Sequence, residues 1–99
     1  MGKFQLTNKA VEDLSKIWNY TFEFWSENQA DKYYKMLISH CQEIADNPVL
    51  GKNYDEITQN LLGIKASKHI IFYKVIGDHS VEVIRILHER MDLKKRITE

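Results

Sequence analysis

The residues with chemistry to offer are few: 4 histidines and 1 cysteine in 99 residues, and a basic stretch near the end. His88-Glu89-Arg90-Met91-Asp92 sets a histidine and an aspartate four apart around a glutamate, an arrangement metallohydrolases use when both ligands share one turn of helix. Here the histidine closes a β-branched apolar run that reads as a strand, where a spacing of four points both side chains to one face but far apart. His40, His69 and His79 fall on separate elements, so neither a metal site nor a cofactor is expected. Gly2, Gly51, Gly63 and Gly77 are scattered singly, which excludes a glycine-rich phosphate loop. Cys41 lies within a helical apolar stripe, where burial raises the thiol pKa and makes it inert. What remains is metal-free phosphodiester cleavage, which needs a general acid or base beside a cation that steadies the phosphorane. Lys65, His69, Arg85 and His88 could meet on a sheet for that purpose, or serve only as polar tips of strands at its edge.

The charge balance weighs against nucleic acid as a direct ligand. Fourteen Lys and Arg offset fourteen Asp and Glu, whereas phosphate binding draws on clustered cations. The halves differ mildly: residues 1–49 carry 5 basic and 7 acidic side chains, residues 50–99 carry 9 and 7. The uncharged stretches, such as Asn60 to Ile64 and His69 to Tyr73, are far shorter than the ~18–20 apolar residues of a membrane span. The opening Met1-Gly2-Lys3-Phe4-Gln5-Leu6 has neither an apolar run with a cleavage site nor the Ser or Thr of a myristoylation signal. With one cysteine and no intramolecular disulfide, these features predict a cytosolic protein. The length is that of one domain, residues 1–99, of modest stability, to which a permanent partner could add.

The elements that must position these residues follow from periodicity. Lys3-Phe4-Gln5-Leu6 alternates as a half-buried strand, and Thr7 or Asn8 offers an N-cap. Ala10, Val11, Leu14, Ile17, Trp18, Thr21, Phe22 and Trp25 recur at three and four, which predicts a helix; Tyr20 and Phe24 fall off that stripe. Ser26-Glu27-Asn28-Gln29 reads as a capping box for a second helix, striped by Ala30, Tyr33, Tyr34, Leu37, Cys41, Ile44 and Ala45 and stopped near Asn47-Pro48. Leu50 to Asn60 reads as a loop with one helical turn at Asp55-Glu56-Ile57. Strands are predicted over Leu61 to Ala66, His69 to Ile76 and Ser80 to His88, the last two apolar on both faces and so inside the sheet. Gly77-Asp78 is the expected hairpin turn, with glycine at positive φ. The order β-α-α-β-β-β gives an α+β fold, an N-terminal strand and an antiparallel helical hairpin packed on an antiparallel sheet, with a short basic tail after Asp92.

Trp18, Tyr20, Phe22, Phe24, Trp25, Tyr33 and Tyr34 are dense for one hairpin. Most are expected in the core. One side of a hairpin cannot hold all of them, so Trp18, Phe22, Trp25 and Tyr33 are candidates for a groove that takes a partner's helix or strand. Asp92 has two plain roles open to it: capping the tail, or pairing with Arg85 or Arg90.

At this point the chain resembles ParE toxins of the RelE/ParE superfamily of bacterial type II toxin–antitoxin systems. The resemblance rests on Leu14-Ser15-Lys16-Ile17-Trp18-Asn19-Tyr20-Thr21, Trp25, Gln29-Ala30-Asp31-Lys32-Tyr33, Asn47-Pro48-Val49-Leu50-Gly51-Lys52, His69-Ile70-Ile71-Phe72-Tyr73 and, most specifically, Arg85-Ile86-Leu87-His88-Glu89-Arg90-Met91-Asp92. It runs in order from about residue 3 to 93. It implies the superfamily's helical hairpin on an antiparallel sheet, and a cytosolic toxin that poisons DNA gyrase by binding rather than by catalysis. It also implies a ParD-like antitoxin, with a ribbon-helix-helix DNA-binding domain and a C-terminal segment that wraps the toxin in a hetero-oligomer that represses its own operon. Arg85, His88, Met91 and Asp92 carry the family's marks, as target-binding or structural positions.

The RelE branch cleaves messenger RNA on the ribosome with a basic, tyrosine-containing cluster. This chain has no tyrosine after Leu87, and Lys65 with Arg85 is a thin basic set, which ranks gyrase inhibition ahead of metal-independent endoribonuclease activity at Lys65, Arg85 and His88. A third reading is an inactive member that binds its antitoxin alone.

Overall fold

The computed structural model describes residues 2–99, so Met1, which opens the signal-peptide reading, lies outside the described residues. The chain runs through β1 (Lys3–Leu6), α1 (Asn8–Phe24), α2 (Glu27–Asp46), a 3-10 turn at Pro48–Leu50, β2 (Lys52–Asn53), β3 (Leu62–Ala66), β4 (His69–Gly77), β5 (Ser80–His88) and α3 (Leu93–Thr98). The α+β fold expected from periodicity is present, with three refinements. β2, which pairs with β3, lies inside the predicted loop. The basic tail becomes the helix α3. The sheet is not wholly antiparallel: in the order β1-β5-β4-β3-β2, β1 runs parallel to β5 from Lys3 opposite Ser80 to Leu6 opposite Val83. A parallel pair needs a long crossover, and the helical hairpin with β3 and β4 supplies it.

Local chemistry fixes the helix ends. Thr7, in extended conformation, accepts from the Ala10 N–H at 3.0 Å and donates to the Ile84 carbonyl at 2.7 Å, so one hydroxyl caps α1 and ties it to β5. Ser26 accepts from the Gln29 N–H at 3.1 Å, which is one half of the expected capping box. α2 ends before Pro48, which lacks the N–H to continue it.

Two cores lie on opposite faces of the sheet. On the helix side Ala10 and Leu14 of α1 and Leu37, Cys41 and Ile44 of α2 pack on Ile71, Tyr73, Val81, Val83 and Ile86. On the other side Leu61, Ile70, Phe72 and Leu87 are covered by Tyr54 and Ile57 of the long loop and by Leu93 and Ile97 of α3. That double coverage is why β4 and β5 read as apolar throughout.

A bulge divides β5: Phe72 faces Arg85 and Tyr73 faces Val83, leaving Ile84 as the extra residue. The parity of the strand changes there, so that Ile86 rather than Arg85 continues the Val81–Val83 face into the helix-side core. The β4–β5 turn corrects the sequence expectation. Gly77 pairs with Ser80 and has no positive φ; the turn is Asp78-His79, and Ile76 is an extra residue on β4 just before it. The positive φ occurs instead at Ser67, 59°, in the β3–β4 turn, and at Asn60, 66°.

Candidate functional site

Asp13 is where the structure departs furthest from the sequence reading. It sits on the buried side of α1 and is 7% exposed, against 8% for Arg85. Its carboxylate accepts from Arg85 Nε at 2.8 Å and Nη2 at 3.0 Å, a bidentate pair, and from the Ile86 N–H at 3.0 Å. β1 ends opposite Val83, so the carboxylate takes the place of a neighbouring strand for the next part of β5. Arg85 Nη1 also donates to the Arg96 carbonyl at 2.7 Å, which fastens α3. The Asp13 hydrogen bond holds the guanidinium above its ordinary pKa. Arg85 is thus a cross-brace of α1, β5 and α3, and its donors are committed.

Of the set Lys65, His69, Arg85 and His88, the sheet brings two together. His69 and His88 are opposite one another on β4 and β5, with ring centroids 5.3 Å apart and edge to face. Tyr33 of α2 shares a 2.6 Å hydrogen bond with His69 Nδ1. Burial, with the neighbouring His88, lowers the His69 pKa to about 4, so its ring is neutral at pH 7. His88 Nδ1 accepts from the Arg90 N–H at 3.1 Å. Lys65 pairs with Glu89 at 3.2 Å. Among the described residues no group of three or more His, Cys, Asp and Glu is placed to hold a metal ion. Cys41 is buried in the core, which pushes its thiol pKa up to about 12.

Asp92 accepts from the Lys95 N–H at 3.1 Å as the N-cap of α3, the first of its two expected roles. Met91 is exposed beside it. Among the described residues no helix is long and apolar enough to cross a membrane.

The aromatics overturn the expectation that most are core. Tyr20, Phe22, Phe24 and Trp25 are 61%, 49%, 64% and 76% exposed, and Tyr34 is exposed as well. Every residue from Phe22 to Gln29 is exposed, so the rings at the tip of the hairpin have no layer beneath them. Trp18 and Phe22 stack at 5.2 Å, and Trp18 Nε1 donates to Asp31 at 3.0 Å across the hairpin. Trp18 lines a groove of about 490 Å³ with Leu6, Val11, Leu14, Asp31 and Tyr34. The groove lies by β1, an outer strand of the sheet. Tyr33 is elsewhere: with Met36, His40 and Ser67 it lines a second, shallower hollow. The four sequence candidates are therefore not one surface, and Tyr34 belongs to the groove where Tyr33 does not. The sequence reading put both tyrosines in the α2 stripe, and the ~100° between adjacent helical positions was the signal that they face different surfaces.

A helical hairpin on one face of such a sheet is the architecture of chains in bacterial toxin–antitoxin systems. One match is a chain of the chromosomal ParDE system from P. aeruginosa, with a TM-score of 0.74, 16% identity and coverage of 89% of this chain and 95% of that one. Another is in the RelBE2 toxin–antitoxin complex of Mycobacterium tuberculosis, with a TM-score of 0.67, 14% identity and coverage of 89% and 98%. The sequence is more specific. Residues 4–93 match the ParE toxin family of type II toxin–antitoxin systems, and the chain belongs to that family. It is 33% identical over 96 residues to Toxin ParE1 of Mycobacterium tuberculosis, covering 97% of this chain and 98% of the relative.

Proposed function

We propose that this chain acts in the cytoplasm by binding: free, it inhibits DNA gyrase and arrests growth; bound by a ParD-like antitoxin, it is silent. The observation that carries the reading is the apolar groove at Trp18, open beside the outer strand β1. Its residues are suited to an amphipathic helix, with Trp18 as anchor, Phe22 stacked on that ring, and Asp31 already engaged by the indole. Both structural neighbours come from toxin–antitoxin systems, which supports an antitoxin partner for this chain.

Binding is favoured over catalysis by the state of the polar residues. Arg85 is bound to Asp13, Lys65 to Glu89, and His69 is neutral and half-buried against Tyr33. A phosphorane needs a cation that is free to meet it. The likeness to a RelBE2 chain keeps ribosome-dependent endoribonuclease activity as the second reading, with the His69–His88 pair as its only assembled part.

Gyrase supercoiling and DNA-cleavage assays with purified protein, beside translation on ribosomes, separate these. Accumulated cleaved DNA with normal translation is the expected result. Messenger cleavage with normal supercoiling would replace gyrase with the ribosome as target. Inactivity in both, with tight antitoxin binding, would identify an inactive antitoxin-binding member.

A further inference from the structure

The lining of the Trp18 groove carries a single charge. Ser15 and Asn19 are its neutral polar members, and among the described residues Asp31 is the only ionisable acid or base that lines it. That carboxylate is half committed. Its Oδ1 accepts the Trp18 indole N–H at 3.0 Å, whereas Oδ2 has no hydrogen-bond or ion-pair partner among the described residues.

No cation of the chain is placed to supply the missing partner. By helical spacing Glu27 lies one turn before Asp31 on α2 and Lys35 one turn after it, and Lys35 makes no ion pair with it. Glu12, Lys16 and Glu23 lie on the solvent side of the α1 wall, so the exposed rim holds three acids and two bases. Lys9 is turned away, donating to the Glu99 carbonyl at 2.6 Å, and Lys32 lines the second hollow. On β1 the groove takes Leu6, and strand alternation sends Lys3 to the other face.

A segment that seats on Trp18 displaces the water that serves Oδ2. A carboxylate covered by apolar side chains alone loses its hydration with nothing in return, which disfavours an occupant whose face is apolar throughout. A cation on that face removes the penalty. Arginine suits the place better than lysine, because a guanidinium pairs with a carboxylate while its plane lies on an aromatic ring, and Trp18 and Tyr34 line the same groove. The α1 wall sets the rest of the pattern: Leu14 and Val11 follow Trp18 at one and two turns, ~10 Å in all.

We propose that the segment occupying the Trp18 groove carries one arginine within its apolar stripe, set against Asp31 Oδ2, with apolar residues one and two turns away over Leu14 and Val11. The inference rests on the reading of this groove as the antitoxin's docking site, and it makes Asp31 the residue that selects among antitoxins.

Selection of a phage-displayed library of amphipathic helices on the purified full chain tests this, with Asp31→Asn, Asp31→Lys and Trp18→Ala run in parallel and their folding checked by circular dichroism. Peptides taken by the unsubstituted chain should share one arginine flanked by apolar residues at helical spacing. Asp31→Asn keeps the shape and the acceptor for the indole, and should weaken the best such peptide by roughly 10-fold in calorimetry. Replacing that arginine by leucine should cost a similar factor on the unsubstituted chain and little on Asp31→Asn, since the two changes remove one interaction. Asp31→Lys should select an acidic residue at the same position. Peptides that need Trp18 but carry no cation, or that bind Asp31→Asn equally well, overturn the inference and leave the groove as a docking site. Lysine enriched in place of arginine overturns the stacked arrangement. Failure to select any peptide, or peptides that bind Trp18→Ala unchanged, would overturn the docking site itself.

Discussion

In its first two turns α1 presents Ala10, Asp13 and Leu14 to the interior, all buried, whereas every residue from Phe22 to Gln29 around the hairpin tip is exposed. The buried half holds an ion pair whose carboxylate accepts three hydrogen bonds; the exposed half holds rings with nothing beneath them. Polar inside and aromatic outside inverts the usual partition, and each half makes sense only through what it contacts. Asp13 is tolerated in the core because Arg85 and the Ile86 N–H meet it. Phe22 and Trp25 are tolerated outside if another chain covers them.

The comparison breaks most visibly at Asp13. Asp13→Ala leaves the Arg85 guanidinium buried without its carboxylate and the Ile86 N–H without an acceptor, and should cost about 3–5 kcal/mol in urea unfolding. At the other end, Trp18→Ala should weaken antitoxin binding by about 2 kcal/mol or more in calorimetry while lowering folding stability by no more than about 1 kcal/mol. A stability loss as large as that of Asp13→Ala would mean that Trp18 is core and not interface.

A third measurement concerns pH. The His69 pKa is lowered to about 4 from the 6.5 of an unfolded histidine, so between these values the unfolded chain binds more protons. The contribution is complete above pH 6.5 and is lost as pH falls toward 4. Since the ring is partly solvated, the loss should be about 1–2 kcal/mol, and His69→Gln should flatten the slope in that window. The smallest effect is at Ser67, whose φ of 59° favours glycine. Ser67→Gly should raise the unfolding free energy by about 0.5–1 kcal/mol without altering antitoxin binding.

Elements with a period were legible in the sequence: both long helices, the order of the three longer strands, and caps at Thr7 and Ser26. Features that depend on tertiary partners were not. Asp13 looks like any solvent-facing acid in an amphipathic helix, since only the end of β1 gives it a strand edge to satisfy. The exposure of Phe22 and Trp25 was hidden because a stripe shows that residues share a face, not that the facing layer extends beneath them. The bulge at Ile84, which puts Ile86 rather than Arg85 on the helix-side face, leaves no local signal because Ile-Arg is an ordinary strand pair. The loop after α2 was equally opaque. Tyr73, fully buried, donates to the Pro48 carbonyl at 2.6 Å and accepts from the Gly51 N–H at 2.9 Å, and a Cβ at Gly51 would strike its ring. Nothing in Asn47-Pro48-Val49-Leu50-Gly51 names a tyrosine 22 residues away.

The parallel pairing of β1 with β5 has a consequence for how the chain is made. Lys3 must wait for Ser80 to be synthesised before it has a strand to join, and β4, though β3 precedes it, waits for β5 on its other edge. During translation the hairpin of α1 and α2 is complete long before the surface it packs on. The nascent chain therefore spends most of its synthesis with an uncovered apolar face and no native sheet. The sheet is joined to β1 and closed under the hairpin only after the last strand emerges, and the chain competes with aggregation until that moment. An antitoxin already present when β5 leaves the ribosome would meet the chain in its most vulnerable interval.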